Sequence, residues 1–213
     1  MRAIAAASCS AVAIAAGLVL ACNVRTDARQ TKAAPAVQGF ELAWDVEIGG
    51  PGKVSMAVSP SRVLVADTET GVAAYATADH LLAWVFQSPS SLAPVVAGDQ
   101  VFIASGGRVH ALDEATGRAR WVRDLGGAAA ALAANGTGVL GAAGGVLRAW
   151  SAEGVPAWQH DFETEIAPGL VAVDGGLAYV GLADRTLAAV DVASGDVRWQ
   201  KRLNTLPRMF AAG

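Results

Sequence analysis

The stretch GDQVFIASGGRVHALDEATGRARWVRDL, residues 98–125, is the unit on which the rest of the chain is built. It contains β-patterned runs, a Gly-Gly turn, a second turn from Asp113 to Gly117, and a last strand that carries Trp121. Aspartate opens such a turn because its side chain accepts a hydrogen bond from a nearby backbone N–H. Glycine closes the turn because it adopts positive φ angles without steric cost. The stretch therefore predicts a small sheet of short strands.

Other segments align with this unit when they are superimposed on its tryptophan. Residues 111–121 (ALDEATGRARW) match residues 189–199 (AVDVASGDVRW) without a gap. Residues 74–84 fit the same frame, and residues 149–158 fit with one residue deleted from the turn. The aligned tryptophans are Trp44, Trp84, Trp121, Trp158 and Trp199. Units of short strands that recur at roughly 40 residues are typical of solenoids and propellers, and four strands per unit favour the propeller.

The repeats predict an all-β fold, a β-propeller of four-stranded blades. We expect four complete blades, preceded by an isolated fourth strand at residues 40–48 and followed by an isolated first strand at residues 206–210. These strands cannot close a ring, so the propeller is predicted to be incomplete. Either the chain is truncated, or a second copy associates with it to complete the ring. An open end exposes a sheet face and edge, which favours truncation.

A charged residue, an apolar run and a small residue follow one another at the N-terminus. Arg2 precedes the apolar residues 3–20, and Ala21 stands directly before Cys22. This order is typical of a secretory signal peptide, which we predict over residues 1–21. The alternative is a transmembrane anchor, since the run is nearly long enough to span a bilayer. The run is mostly alanine, however, and alanine gains little from lipid.

The segment between the signal peptide and the repeats has a different composition. Residues 22–38 are polar, contain alanine and proline, and show no hydrophobic period. We predict a tether here, which leaves residues 39–213 for the propeller. The cysteines, Cys9 and Cys22, both precede the propeller. A disulfide framework or a cysteine-based zinc site is therefore excluded for that domain.

Composition and motifs predict no nucleic-acid partner and no catalytic residue. The net charge of −3 provides no broad positive field for nucleic acid. Residues 136–141 (GTGVLG) spell a dinucleotide-binding fingerprint, but such a site needs a helix directly afterwards. A β-patterned run follows instead, so these are interpreted as turn glycines. His80, His110 and His160 fall at three different repeat positions and predict no metal site, and no G-x-S-x-G nucleophile motif occurs.

The motif A-x-D-x-x-[T/S]-G-x-x-x-W resembles the tryptophan-docking repeat of quinoprotein-type (PQQ-like) β-propellers. Two units match it in full, namely Ala111, Asp113, Thr116, Gly117 and Trp121, and Ala189, Asp191, Ser194, Gly195 and Trp199. We predict that the tryptophans pack into the joints between neighbouring blades, where each buries a large apolar area. The predicted blade-docking residues are Trp84, Trp121, Trp158, Trp199, Asp113, Gly117, Asp191 and Gly195.

The end of the predicted signal peptide resembles a second known pattern. Residues 19–22 (VLAC) are similar to the cleavage motif of bacterial lipoproteins. The resemblance implies cleavage before Cys22 and several acyl chains on that cysteine, which would anchor the chain to a membrane. Asn23 follows, and by analogy with enterobacterial lipoproteins it permits export to the outer membrane. We therefore predict a lipid-anchored protein of the cell envelope, on the outer membrane and facing the periplasm.

Lipoprotein signal, tether and docking repeats together resemble the BamB family of the outer-membrane β-barrel assembly machinery. That resemblance implies a non-enzymatic scaffold that binds other envelope proteins, including barrel-assembly components, through loops and blade edges. A fragment or degenerate relative of a quinoprotein dehydrogenase is the enzymatic alternative. Such enzymes have a vicinal cysteine pair and Glu, Asn and Asp ligands for calcium; the repeats contain no cysteine, so no cofactor is predicted. A surface sensor that binds a sugar or peptide is the third possibility.

Overall fold

A computed structural model of the chain describes residues 8–14, 17–23, 44–45 and 52–205. The chain divides into two compact units, Met1–Gly52 and Lys53–Gly213. In the first unit, β1 (Ser8–Ile14) and β2 (Gly17–Asn23) pair as an antiparallel hairpin. This hairpin lies within the segment predicted as a signal peptide and tether, and those assignments stay predictions.

Strands alone make up the regular structure of the second unit between residues 53 and 205. Blade 1 consists of β3 (Val54–Val58), β4 (Arg62–Asp67), β5 (Gly71–Ala76) and β6 (Leu82–Phe86). Blade 2 consists of β7 (Val95–Ala97), β8 (Gln100–Ser105), β9 (Arg108–Asp113) and β10 (Ala119–Asp124). Blade 3 consists of β11 (Ala129–Asn135), β12 (Gly138–Ala143), β13 (Val146–Ser151) and β14 (Pro156–Asp161). Blade 4 consists of β15 (Ile166–Asp174), β16 (Leu177–Leu182), β17 (Thr186–Asp191) and β18 (Val197–Arg202).

Each blade is an antiparallel sheet whose strands are ordered as they occur in the chain. The first strands of successive blades lie against one another, β3 on β7, β7 on β11 and β11 on β15. This is the arrangement of propeller blades around an axis, so the prediction of an all-β propeller with four complete blades is confirmed. The four blades do not close a ring. Of the isolated fourth strand predicted at residues 40–48, only Trp44 and Asp45 are described, and they lie outside any strand; the isolated first strand predicted at residues 206–210 lies outside the described residues.

The hydrophobic core consists of three layers, one between each pair of neighbouring blades. Each layer is built from the alternate residues that two facing sheets turn toward one another. The layer between blades 1 and 2 includes Leu64, Val72, Ile103 and Leu112. The layer between blades 2 and 3 includes Phe102, Val109, Leu125 and Val139. The layer between blades 3 and 4 includes Leu147, Ile166, Val180 and Val190.

One alanine position explains how the tryptophans fit into the blades. The recurring alanine of the third strand is the direct cross-strand partner of the tryptophan on the fourth strand in every blade. The pairs are Ala74 with Trp84, Ala111 with Trp121, Ala149 with Trp158, and Ala189 with Trp199. Each pair is followed by a β-bulge. The alanines are buried, and a larger side chain would compete with the indole for the same space.

Candidate functional site: the blade joints and outer strands

In blades 2, 3 and 4, the turn between the third and fourth strands receives the tryptophan of the blade before it. We call this turn the docking turn; it comprises residues 114–118 in blade 2, 152–155 in blade 3 and 192–196 in blade 4. In each case the indole Nε1 donates a hydrogen bond to the first carbonyl of the turn. The bonds run from Trp84 to Glu114 O (2.9 Å), from Trp121 to Ala152 O (2.7 Å) and from Trp158 to Val192 O (2.7 Å). Three described joints therefore share one geometry.

The glycine that closes each docking turn lies directly beneath the indole. Gly117, Gly154 and Gly195 have φ angles of 69°, 77° and 79°. A Cβ atom on Gly117 would lie 2.5 Å from Cδ2 of Trp84, and the corresponding distances to Trp121 and Trp158 are both 2.6 Å. Glycine is thus required twice over, for its positive φ and for the absence of a side chain. In blade 1, His80 occupies this position with a φ of 64°.

The aspartates that open the docking turns hold them in shape. Asp113 Oδ1 accepts hydrogen bonds from Thr116 N (2.9 Å) and Thr116 Oγ1 (2.8 Å). Asp113 is also paired with Arg120 at 2.6 Å. Its hydrogen bond with Arg120, followed by those with Thr116, lowers the pKa of Asp113 to about 2. Asp191 is paired in the same way with Arg198 at 2.7 Å, which lowers its pKa. Both pairs stand at the surface and serve to order the turn.

The last predicted docking tryptophan has a different environment. Trp199 is 41% exposed, whereas Trp84 and Trp121 are 8% and 9% exposed. Its ring packs against Tyr179 within the same blade, with ring centroids 6.2 Å apart. None of the three docking turns receives the ring of Trp199. The structure therefore places three of the four indoles in joints between blades.

One histidine of the joint between blades 1 and 2 makes stability sensitive to pH. The half-buried ring of His110 lies 5.2 Å from that of Phe86, and burial, more than any other cause, lowers its pKa. The unfolded chain therefore binds more protons, so this contribution to stability is complete above about pH 6.5 and decreases as the pH falls below it. We expect His110→Phe to reduce the slope of unfolding free energy between about pH 6.5 and 5. Equal slopes in urea titrations of both proteins would refute this.

The outermost strands of the blades differ in charge. On β10, β14 and β18 charged or titratable side chains are frequent, namely Arg120, Arg123, Asp124, His160, Asp161, Arg198, Lys201 and Arg202. The corresponding strand of blade 1, β6, reads LAWVF and has none. Leu82 and Val85 on β6 are 54% and 50% exposed, and Leu81 just before it is 65% exposed. Blade 1 therefore presents an uncharged apolar outer edge.

The other sequence motifs resolve as structural features. Within residues 136–141, Gly136 lies in a turn as interpreted, whereas Gly138 and Gly141 lie in strand β12; a strand and not a helix follows the turn. The described residues include no group of three or more His, Cys, Asp or Glu side chains arranged to hold a metal ion. In the same described parts of the chain, no helix is long and apolar enough to cross a membrane.

Comparison with known proteins identifies the family. The sequence matches the family described as outer membrane protein assembly factor BamB over residues 12–129 and again over residues 88–211. The chain belongs to this family. The two overlapping matches follow from the internal repeat, since the family pattern fits successive groups of blades. No curated protein sequence matches the chain.

Solved structures support the BamB-family fold. The crystal structure of BamB from Moraxella catarrhalis matches with a TM-score of 0.60 and 23% identity, over 73% of this chain and 49% of that one. A computationally designed protein, Ika8, matches with a TM-score of 0.64 and 16% identity, over 72% of this chain and 50% of that one. At these identities the likeness shows the fold alone. The chain spans about half the length of both structures.

Two features of this BamB-family chain were not predicted from sequence. The acceptors for the indoles are the backbone carbonyls of Glu114, Ala152 and Val192, and a carbonyl leaves no trace in the residue type. Their position directly after the turn-opening residue Asp113, Ser151 or Asp191 was nevertheless visible in the repeat. The uncharged strand β6 was also visible, by comparison of the four outer strands in register.

Proposed function

We propose that the chain is a non-enzymatic scaffold of the bacterial cell envelope. In this proposal it binds other envelope polypeptides, including components of the outer-membrane barrel-assembly machinery. Membership of the BamB family supports this role, as does a fold in which the conserved geometry of the repeats holds blades together. A fold by itself does not establish a function, so the proposal rests chiefly on a surface of this chain.

The observation that carries the proposal is the outer edge of blade 1. Strand β6 is last in its sheet, and among the described residues no strand pairs with its outer side. An edge strand offers unpaired backbone N–H and C=O groups, and charged side chains normally protect it from pairing with other chains. Leu82 and Val85 are exposed on β6, which carries no charge, whereas β10 and β18 carry arginine or lysine at other positions along the strand. The edge of β6 is therefore suited to accept an extended strand of a partner.

The edge is also held rigidly for such pairing. The central residue of β6, Trp84, is buried in the joint with blade 2 and donates its hydrogen bond to Glu114 O. Phe86 packs on His110 of the same neighbouring blade. Because these two side chains fix one face of β6, its edge is preorganised, and binding a partner strand needs little additional ordering.

Lysine substitutions on β6 test the scaffold proposal. We expect Leu82→Lys/Val85→Lys to weaken binding of the full chain to the barrel-assembly complex, purified without this subunit, by about tenfold or more, because charges disfavour edge pairing. Val122→Lys is the matched control, since Val122 occupies the position of Val85 on the already charged β10. Titration calorimetry gives the affinities. Absence of binding by the unsubstituted chain would overturn the scaffold role, and equal binding by the double variant would overturn the role of β6.

A lipid on Cys22 is the second part of the proposal. Its support is the sequence of residues 19–22, and Cys22 lies on β2 of the first unit. Several acyl chains on one cysteine provide stable membrane attachment, whereas a single chain binds only marginally. Labelled palmitate should enter the expressed full chain and should not enter Cys22→Ser. Equal labelling of both proteins would contradict the anchor.

A further inference from the structure

A pocket of about 470 Å³ opens between blades 3 and 4. It lies at the end of the two sheets that carries the β11–β12 turn and the docking turns. Its walls are largely apolar and include Leu140, Trp150, Val173 and Val192. The volume falls within the range of about 300–1,000 Å³ that is usual for small-molecule sites.

The polar groups at the rim of this pocket already have partners. The Asp191 carboxylate, the charged group among the lining residues, accepts hydrogen bonds from Arg198 and from two backbone N–H groups of its own turn. The hydroxyl of Ser151 donates to Glu153 at 2.8 Å, and that of Thr137 donates to Asn135 at 2.7 Å. A charged ligand would therefore find no unpaired opposite charge among these side chains.

Comparison with blade 2 explains why the pocket is present. In blade 2, Arg120 crosses this end of the sheet and pairs with both Asp99 and Asp113, each at 2.6 Å. The cross-strand register aligns these three positions with residues of blade 3 that line the pocket. In blade 3, Thr137 occupies the position of Asp99, Ser151 occupies that of Asp113, and Ala157 occupies that of Arg120. Blade 3 has thus replaced three charged side chains with small ones, and the space that they would occupy is open.

We propose that this pocket binds an uncharged, largely apolar ligand with an aromatic or branched aliphatic core of about the size of indole. The ligand would pack on the side chains of Trp150, Leu140 and Val192, and removal of its surface and theirs from water would drive binding. Trp150 favours an aromatic guest, because aromatic rings attract one another in tilted or offset arrangements. The same chemistry is offered by a free small molecule and by an apolar side chain of a bound polypeptide.

Closing the pocket with the blade 2 pattern is the direct test. Indole and the neutral peptide N-acetyl-Ala-Trp-Ala-amide are titrated into the full chain, and binding is followed by NMR shifts of the Trp150 indole N–H. We expect Ser151→Asp/Ala157→Arg to weaken binding of either probe by about tenfold or more, because the introduced carboxylate and guanidinium would pair and fill the entrance of the pocket. Ala157→Leu, which blocks the same space without charge, should have the same effect. Ala83→Arg is the matched control, since Ala83 holds this position in blade 1.

Both substituted alanines are exposed, so these variants leave the core unchanged, and circular dichroism checks their folding. Failure of both probes to bind the unsubstituted chain overturns the proposal, and so does binding by the two closed variants that is as tight as binding by the unsubstituted chain. Tighter binding of the peptide supports a polypeptide side chain as the ligand, and tighter binding of indole supports a free small molecule. The outcome is separate from that of the scaffold test, since both closed variants are in blade 3 and leave strand β6 of blade 1 unchanged.

Discussion

Replacing Trp121 with alanine is expected to lower the free energy of unfolding by about 4 kcal/mol. Trp121 is 9% exposed, its indole lies against Gly154, and its Nε1 donates to Ala152 O at 2.7 Å. The substitution removes this packing, leaves a cavity in the joint between blades 2 and 3, and takes the donor away from a carbonyl. Urea unfolding followed by circular dichroism measures the change.

Trp199→Ala provides the internal comparison for Trp121→Ala. Trp199 also has an alanine, Ala189, as its cross-strand partner, but it is 41% exposed. We expect this substitution to lower the free energy of unfolding by about 1 kcal/mol, because the exposed part of a side chain contributes little. Equal losses for the two variants would mean that the tryptophans stabilise their own blades and not the joints.

Gly117→Ala is expected to lower the free energy of unfolding by about 3 kcal/mol, a large effect for one methyl group. Its φ of 69° is unfavourable for alanine, and the new Cβ would lie 2.5 Å from Cδ2 of Trp84. The indole would have to move out of the joint between blades 1 and 2, which would also break its hydrogen bond to Glu114 O. Thermal and urea unfolding both report this loss.

Gly98→Ala separates the two causes of the loss at Gly117. Gly98 has a similar φ of 61°, but a Cβ atom there would meet no other atom within 4 Å. Replacing Gly98 with alanine should therefore lower the free energy of unfolding only by the cost of its positive φ, about 1 kcal/mol. If Gly117→Ala costs no more than Gly98→Ala, the close contact with the indole does not constrain this glycine.

Much of the fold could be predicted from sequence because versions of one residue pattern occur in four successive units. In register, the tryptophan recurs in all four units, the closing glycine in three and the turn aspartate in two, so a departure in one unit is recognised from the others. His80 shows the strength of this alignment, since it takes a positive φ of 64° at a position where the other units have glycine. The strands of all four blades consequently lie where their patterns indicate.

What the sequence could not provide are the contacts that join one repeat to the next. The carbonyl that receives Trp84 belongs to Glu114, thirty residues further on, and its orientation depends on the folded turn. The pocket between blades 3 and 4 was missed for a related reason. Ala157 and Ser151 are unremarkable in isolation and become informative only when Arg120 is seen to bridge Asp99 and Asp113.

The indole hydrogen bonds all point the same way along the chain, from an earlier tryptophan to a carbonyl 30, 31 or 34 residues later. This polarity gives the protein an order of assembly during synthesis. At about 5–20 residues per second, each ring is made about 2–7 s before the segment that will cover it. The docking turn of each newly synthesised blade thus covers the tryptophan of the blade before it. Only the most recently made tryptophan is then without its docking turn at any time.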